Sequence, residues 1–168
     1  MSGHSRWSQI KHKKALTDKK KGLLFSKLSK LIFLAAKKDI NPETNIELKN
    51  AIEQARLVDM PKDNIDRAIK KVSEKNQNQL DELAIGVIGP GGVALEIWAI
   101  TDKKNRTLAE IKNILIENNS KLVQLESISW MFNQPAPVLT EKEEEQINKL
   151  YETLDNHGDV EKIISNLD

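Results

Sequence analysis

The hydrophobic period changes once along this chain, across the polar stretch Ser73 to Glu82, "SEKNQNQLDE". Before it, apolar residues recur every three or four positions, the spacing of a helix that buries one face. After it, β-rich runs and alternation take over, the spacing of half-buried strands. Helices packed on helices and a sheet covered on one face are different layer architectures. The chain therefore reads as α+β: an N-terminal three-helix bundle followed by a small ββαβαβ sandwich with helices on one face. The expected boundaries are a basic flexible arm at 1–16, a three-helix domain at 17–73, a linker at 74–82 and an α+β domain at 83–168.

The spacing predicts a first helix over Asp18 to Lys38, with Leu24, Leu28, Leu31, Ile32 and Ala35 inward. Asn41-Pro42-Glu43 reads as the start of the second: an Asn cap, Pro in the first turn, then an acid at the positive end of the dipole. That helix runs to about Asp59, with Leu48, Ala51, Ile52, Ala55 and Val58 inward. Pro61 opens a short third helix with Ile65, Ala68, Ile69 and Val72 inward. Beyond the linker, Leu83–Ile88 and Val93–Ile100 read as strands. Gly89-Pro90-Gly91-Gly92 joins them as a type II turn. Thr107-Leu108-Ala109-Glu110 reads as a capping box opening a helix. "SISWMF", Ser127 to Phe132, alternates and reads as a third strand, with Trp98 and Trp130 in the core. "NQPAP", 133–137, is a short linker. Thr140 to Glu143 is a second capping box, and a last strand covers Val160 to Leu167.

Charge is divided unevenly along the chain. Residues 1–80 carry 18 Lys/Arg against 9 Asp/Glu, a net of +9, while residues 81–168 carry 8 against 16, a net of −8. A basic half points to a polyanionic partner. No apolar run approaches the ~18 residues of a membrane span, and no apolar signal core opens the chain. The expected setting is thus the cytoplasm, with no membrane partner. Cysteine is absent, so disulfides and thiolate metal sites are excluded and a reducing compartment suits the chain.

The candidate binding residues begin in the arm: His4, Arg6, Trp7, Lys11, His12, Lys13 and Lys14. They continue through Lys19, Lys20 and Lys21 into the first helix. There Lys20, Lys27, Lys30 and Lys37 fall on one arc about 100° wide at 3.6 residues per turn. Trp7 offers a stacking surface amid cations, an arrangement suited to single-stranded nucleic acid. The plainer alternative is a solvated tail. Arg67 adds a cation on the third helix. Asn105 and Arg106 stand at a helix start, where free backbone N–H groups and a guanidinium would seat an anion, unless they only cap the helix. The glycines at 86–92 precede a strand rather than a helix, so they read as a hairpin and not a phosphate loop. His4, His12 and His157 have no ligand spacing and no partner acids, so no metal site is expected. No nucleophile–base pair or paired carboxylates are visible, and neither a cofactor nor a small-molecule substrate is evident.

Several of these stretches recur together elsewhere. "GHSRW" with "IKHKKA", "FSKL", "NPETN" with "AIEQA", "MPKDNIDRAI", "GPGGVAL", "TDKKNRT" and "SWMF" stand in order along the chain. In these the chain closely resembles the YebC/PmpR family, over nearly its whole length. The resemblance implies a three-helix domain plus an α+β domain, no catalysis and a role in gene expression. The family includes probable transcriptional regulators of bacteria and a mitochondrial branch that activates translation of a cytochrome oxidase subunit. It has been described both as DNA-binding regulators and as ribosome-associated factors that help translation past proline-rich stretches. Members usually carry a further domain after "WMF", where this chain has only Asn133–Pro137, so a short form is expected. The family's glycine-rich loop is "NSKLVQLE" here, Asn119 to Glu126. A flexible arm of Lys, His and Trp, without an evident base-reading helix, suits RNA backbone and unpaired bases better than a duplex groove. The expected partner is therefore ribosomal RNA or the ribosome. Double-stranded DNA is the alternative, and a protein-interaction adaptor the second alternative.

Overall fold

A computed structural model describes residues 17–74 and 79–168. The basic arm, with its seven candidate binding residues from His4 to Lys14, lies outside the described residues, as do residues 75–78 of the expected linker. The described chain falls into two units, one ending at Leu80 and one running from Asp81 to Asp168. Together they hold six α-helices and a four-stranded antiparallel sheet.

The first unit is helical. Helix α1 (Asp18–Ala36) starts where the Thr17 hydroxyl accepts from Lys20 N at 3.3 Å. Helix α2 spans Ile46–Leu57, and α3 spans Lys62–Lys70 and runs into a 3₁₀ turn at Lys71–Ser73. Leu28, Ile32 and Ala35 of α1 close on Leu48, Ala51 and Ala55 of α2 and on Met60, Ile65 and Ala68. Each fully buried Leu or Ile contributes about 1.5–3 kcal/mol.

The second helix does not start at Asn41-Pro42-Glu43 as expected. Those residues form a turn in which Glu43 N donates to Asn41 Oδ1 at 3.0 Å, and the cap is Asn45. Asn45 is buried. Its Oδ1 accepts from Leu48 N at 3.1 Å, while its Nδ2 donates to Ala35 O at 2.8 Å and to Asp39 O at 2.7 Å. One carboxamide thus caps α2 and adds a donor to Ala35 O at the end of α1, which also accepts from Lys38 N at 3.2 Å. Asn41 makes only local bonds, so the more distant demand decides between the two caps. The Thr44 hydroxyl, with Asn41 N–H, holds the Asp39 carboxyl below its ordinary range.

The second unit is a sheet of order β3-β1-β2-β4, in which β3 is Lys121–Val123 and β4 is Val160–Ser165. Strand β1 (Asp81–Ile88) pairs along its length with β2 (Ala94–Thr101). The turn between them closes with Gly92 N on Gly89 O at 3.1 Å, and Gly91 sits at φ 71°, ψ 10°. These angles fit the third position of a type II turn, which glycine adopts without strain. Helix α4 spans Lys104–Glu117 and α6 spans Glu141–Asp155. Their residues Ile111, Leu115, Ile147, Leu150 and Leu154 close on Val87, Leu95 and Ile97 of the sheet. Both bonds of the Thr140–Glu143 capping box are present, at 3.2 and 2.8 Å.

Two of the expected element assignments fail in this unit. The third strand is Lys121–Val123 (β3), not Ser127–Phe132. The latter stretch ends a short helix, α5 (Leu125–Ile128), and forms a 3₁₀ segment at Ser129–Asn133. Its polar side chains favour that turn locally. Ser127 and Ser129 hydroxyls donate to Gln124 O and Glu126 O, and Trp130 Nε1 donates to Ser127 O at 3.0 Å. Gly86 lets this segment pass close over β1, because a Cβ there would lie 2.9 Å from Val123 O and 3.0 Å from Leu125 Cα. Trp130 is therefore 60% exposed rather than buried. Trp98, expected in the core, is 38% exposed. It alternates with Ile97 and sits opposite Ala84 and Lys162 on the sheet face away from the core.

The second failure is the start of α4. Thr107 is not its cap, because the helix begins at Lys104. The Thr107 hydroxyl is buried instead against Thr101 Oγ1 at 2.7 Å and Asp159 Oδ2 at 2.8 Å. Strand β4 (Val160–Ser165) pairs with β2 and closes the sheet.

Candidate nucleic-acid interface

Residues three and four apart on a helix share a face. On α1 that spacing aligns Ser26, Ser29, Lys30 and Phe33 beside the inward stripe. On α3 and the turn after it, the same spacing aligns Asn64, Arg67, Ala68 and Lys71. In the first unit these two stripes line a groove of about 500 Å³, completed by Glu74 and Leu80. Three cations thus meet one acid. The Arg67 guanidinium, the Lys71 ammonium and the half-buried Asn64 carboxamide make no hydrogen bond or ion pair among the described residues. Phe33 is 6% exposed, and Lys37 Nζ lies over its ring, 5.3 Å from the centroid. A cation so placed is held to the helix surface by the ring's quadrupole.

The groove brings together Lys30 and Arg67 from the expected set and places Lys37 beside them through Phe33. Lys19, Lys20 and Lys21 stand in the first turn of α1, outside the groove. Lys27 is 5% exposed, so it does not belong to an accessible arc, contrary to expectation. Sequence reasoning missed Asn64 and Lys71 as members of the site. The signal was there in part, since 64, 67, 68 and 71 continue one helical stripe, but nothing local marks that stripe as facing α1.

In the second unit, Asn105 and Arg106 do stand in the first turn of α4. The expected anion seat is not what the geometry builds. The Arg106 guanidinium bonds Asp159 Oδ2 at 2.8 Å, Asp102 Oδ1 at 3.1 Å and Glu110 Oε2 at 3.0 Å. These carboxylates hold Arg106 still more firmly protonated than usual, Asp102 foremost. An incoming phosphate would meet their negative charge at that point. His157 also departs from expectation, because it does have partner acids. Its Nε2 lies 2.6 Å from Glu110 Oε2, and its Nδ1 accepts from Asp159 N at 3.1 Å. A ring nitrogen that accepts has no proton, so Nε2 carries the proton and donates. This bond, then Arg106, holds the Glu110 carboxyl below its ordinary range. Glu110, His157 and Asp159 present ligand atoms within 4.8 Å of one another, a spacing a metal ion could use. Arg106 already bonds both carboxylates as their counter-cation, so the donor set does not fit a metal while that guanidinium stays.

Among the described residues no helix is long and apolar enough to cross a membrane. Residues 5–75 match the family model described as the TACO1/YebC protein N-terminal domain, and residues 80–144 match the one described as the TACO1/YebC second and third domain. A probable transcriptional regulatory protein of Dictyoglomus turgidum is 46% identical over 85% of this chain and 58% of its own length. Another, of Natranaerobius thermophilus, is 44% identical over 86% of this chain and 58% of its own. The chain therefore spans a little over half the length of these relatives. The crystal structure of a conserved hypothetical protein from Aquifex aeolicus superposes with a TM-score of 0.77 at 29% identity, covering 96% of each chain. On both family models, these relatives and this fold, the chain belongs to the TACO1/YebC family.

Proposed function

We propose that this chain is a non-enzymatic, nucleic-acid-binding regulator of gene expression, and that it acts on RNA of the ribosome, aiding synthesis of difficult, proline-rich stretches. The observation that carries the reading is the α1–α3 groove, where Lys30, Arg67 and Lys71 face one acid and two of the three have no ionic partner among the described residues. Clustered cations of this kind recognise phosphate, and each contact releases counterions. The arm residues from His4 to Lys14, with Lys19, Lys20, Lys21 and Lys37, would extend the contact. Asn105 and Arg106 have no part in it, because Arg106 is enclosed by carboxylates.

RNA suits the unit better than duplex DNA. Helix α3 has only nine residues, and exposed Asp63 and Asp66 interrupt its cations. A recognition helix laid in a major groove would bring those acids against phosphates. The second reading, DNA-binding transcriptional regulation, is favoured by the names of the relatives, which are probable transcriptional regulatory proteins. Sedimentation with ribosomal subunits at moderate salt separates the two. The full chain should travel with a subunit, and Lys30→Glu, Arg67→Glu and Lys71→Glu together should release it. A chain that stays at the top of the gradient yet binds duplex DNA would favour the second reading.

A further inference from the structure

We infer that the α1–α3 groove holds an unpaired nucleotide, with Asn64 reading the edge of its base. The inference rests on the proposed nucleic-acid reading of the same groove and deepens it. Phosphate recognition alone needs only cations. This groove has two further features that a backbone tracker would not require. First, the largely buried Phe33 and Ala68 and the half-buried Leu80 give the groove an apolar lining, against which a base can rest away from water. Second, the Asn64 carboxamide is half-buried and has no hydrogen bond among the described residues. A carboxamide carries a donor and an acceptor side by side. A phosphate offers only acceptors, so half of that group would go unused. The edge of a base offers both, and Asn pairs with such an edge through two bonds.

The space agrees with this assignment. A groove of about 500 Å³ lies within the usual range for sites that enclose a small ligand, roughly 300–1,000 Å³. A site of that volume encloses one small ligand rather than a duplex, whose bases are stacked and paired. Lys30, Arg67 and Lys71 would then hold the phosphates on either side of the inserted nucleotide. Ribose and deoxyribose strands share this chemistry, and the experiment distinguishes them.

The test uses the full chain and three probes: an RNA stem-loop, a blunt RNA duplex of the same stem, and the stem-loop made in DNA. Asn64→Ala should weaken stem-loop RNA binding roughly ten-fold, the scale of one lost bidentate base contact, and change duplex binding less than about two-fold. Alanine favours helix, so α3 should persist, and circular dichroism melting checks that it does. An equal loss on the DNA stem-loop supports an unpaired nucleotide of either sugar, and a loss on RNA alone supports RNA. Lys71→Ala, on an exposed turn, should weaken all three probes alike and lower the salt slope by about one unit. If Lys71→Ala behaves so but Asn64→Ala affects loop and duplex equally, or neither, the nucleotide assignment is overturned and the groove still binds phosphate. If neither variant alters any probe, the nucleic-acid reading of the groove goes with it.

Discussion

His157 Nε2 donates to Glu110 Oε2 across 2.6 Å, joining the turn before β4 to α4 through residues 47 apart in the chain. The same Glu110 oxygen accepts from Arg106. An imidazole N–H and a guanidinium therefore share one carboxylate, and the turn after α6 is tied to the middle of α4 at one point.

This sharing has a pH signature. The folded Glu110 carboxyl is depressed, by His157 first and Arg106 next. A depressed acid contributes stability that is present above its unfolded pKa and is lost as pH falls through the folded one. Stability should thus decline below about pH 4.5, the unperturbed value. Glu110→Gln should lower the urea midpoint at neutral pH and flatten its fall in acid. An unchanged acid limb in the variant would remove Glu110 from this role.

Arg106 should matter for stability and not for binding. Arg106→Ala leaves Asp159, whose side chain is 8% exposed, without its guanidinium. Asp159 keeps the Thr107 hydroxyl but loses its counter-cation, which destabilises a buried carboxylate, so Tm should drop by several degrees while RNA affinity stays the same. Arg106→Lys should recover little, since one ammonium cannot reach the carboxylates in the planar fork geometry. Weaker RNA binding at unchanged Tm would restore the anion seat.

Asn45→Ala removes an N-cap and two side-chain hydrogen bonds, to Asp39 O and to Ala35 O, the latter keeping Lys38 N. The cap is worth about 1 kcal/mol, and each of the two further hydrogen bonds lost contributes about 0.5–1.5 kcal/mol. A loss of about 2–4 kcal/mol in denaturant unfolding is expected. Asn45→Asp keeps the acceptor but not the donor, and should fall between.

Asn119 sits at φ 52°, just past the end of α4, where glycine is the usual residue. Asn119→Gly should raise stability by up to about 1 kcal/mol. A loss would mean that the asparagine side chain contributes something the glycine cannot.

The elements legible in the sequence are those whose determinants lie close together. Thr140 and Glu143 are three residues apart, and their box forms as expected. Gly89 to Gly92 contains its whole turn, and Leu28, Ile32, Leu48 and Ala51 mark their faces by period alone. The misread elements take their partners from far away. Thr107 looks like a cap until Asp159, 52 residues on, accepts its hydroxyl. Asn45 loses locally to Asn41 and wins because its carboxamide also donates to Ala35 O, ten residues back, and to Asp39 O. Ser127 to Phe132 alternates as a strand would, but its serines bond carbonyls three residues back, and a closer strand at Lys121 takes the place beside β1. The candidate groove was half visible for the same reason. Lys30 and Arg67 are marked by charge, whereas Asn64 acquires meaning only when α3 lies beside α1.

Among the described residues, the order β3-β1-β2-β4 leaves two outer strands with unpaired backbone on one side. Such edges are templates on which another chain can add a strand. Here one edge is only three residues long and starts with Lys121, and the other carries Glu161 and Lys162 in its middle. A passing segment would find too short a ladder at one margin and a charged one at the other. The unit that buries Leu95 and Ile97 between its helices thus guards the borders of its sheet against self-association through β-addition.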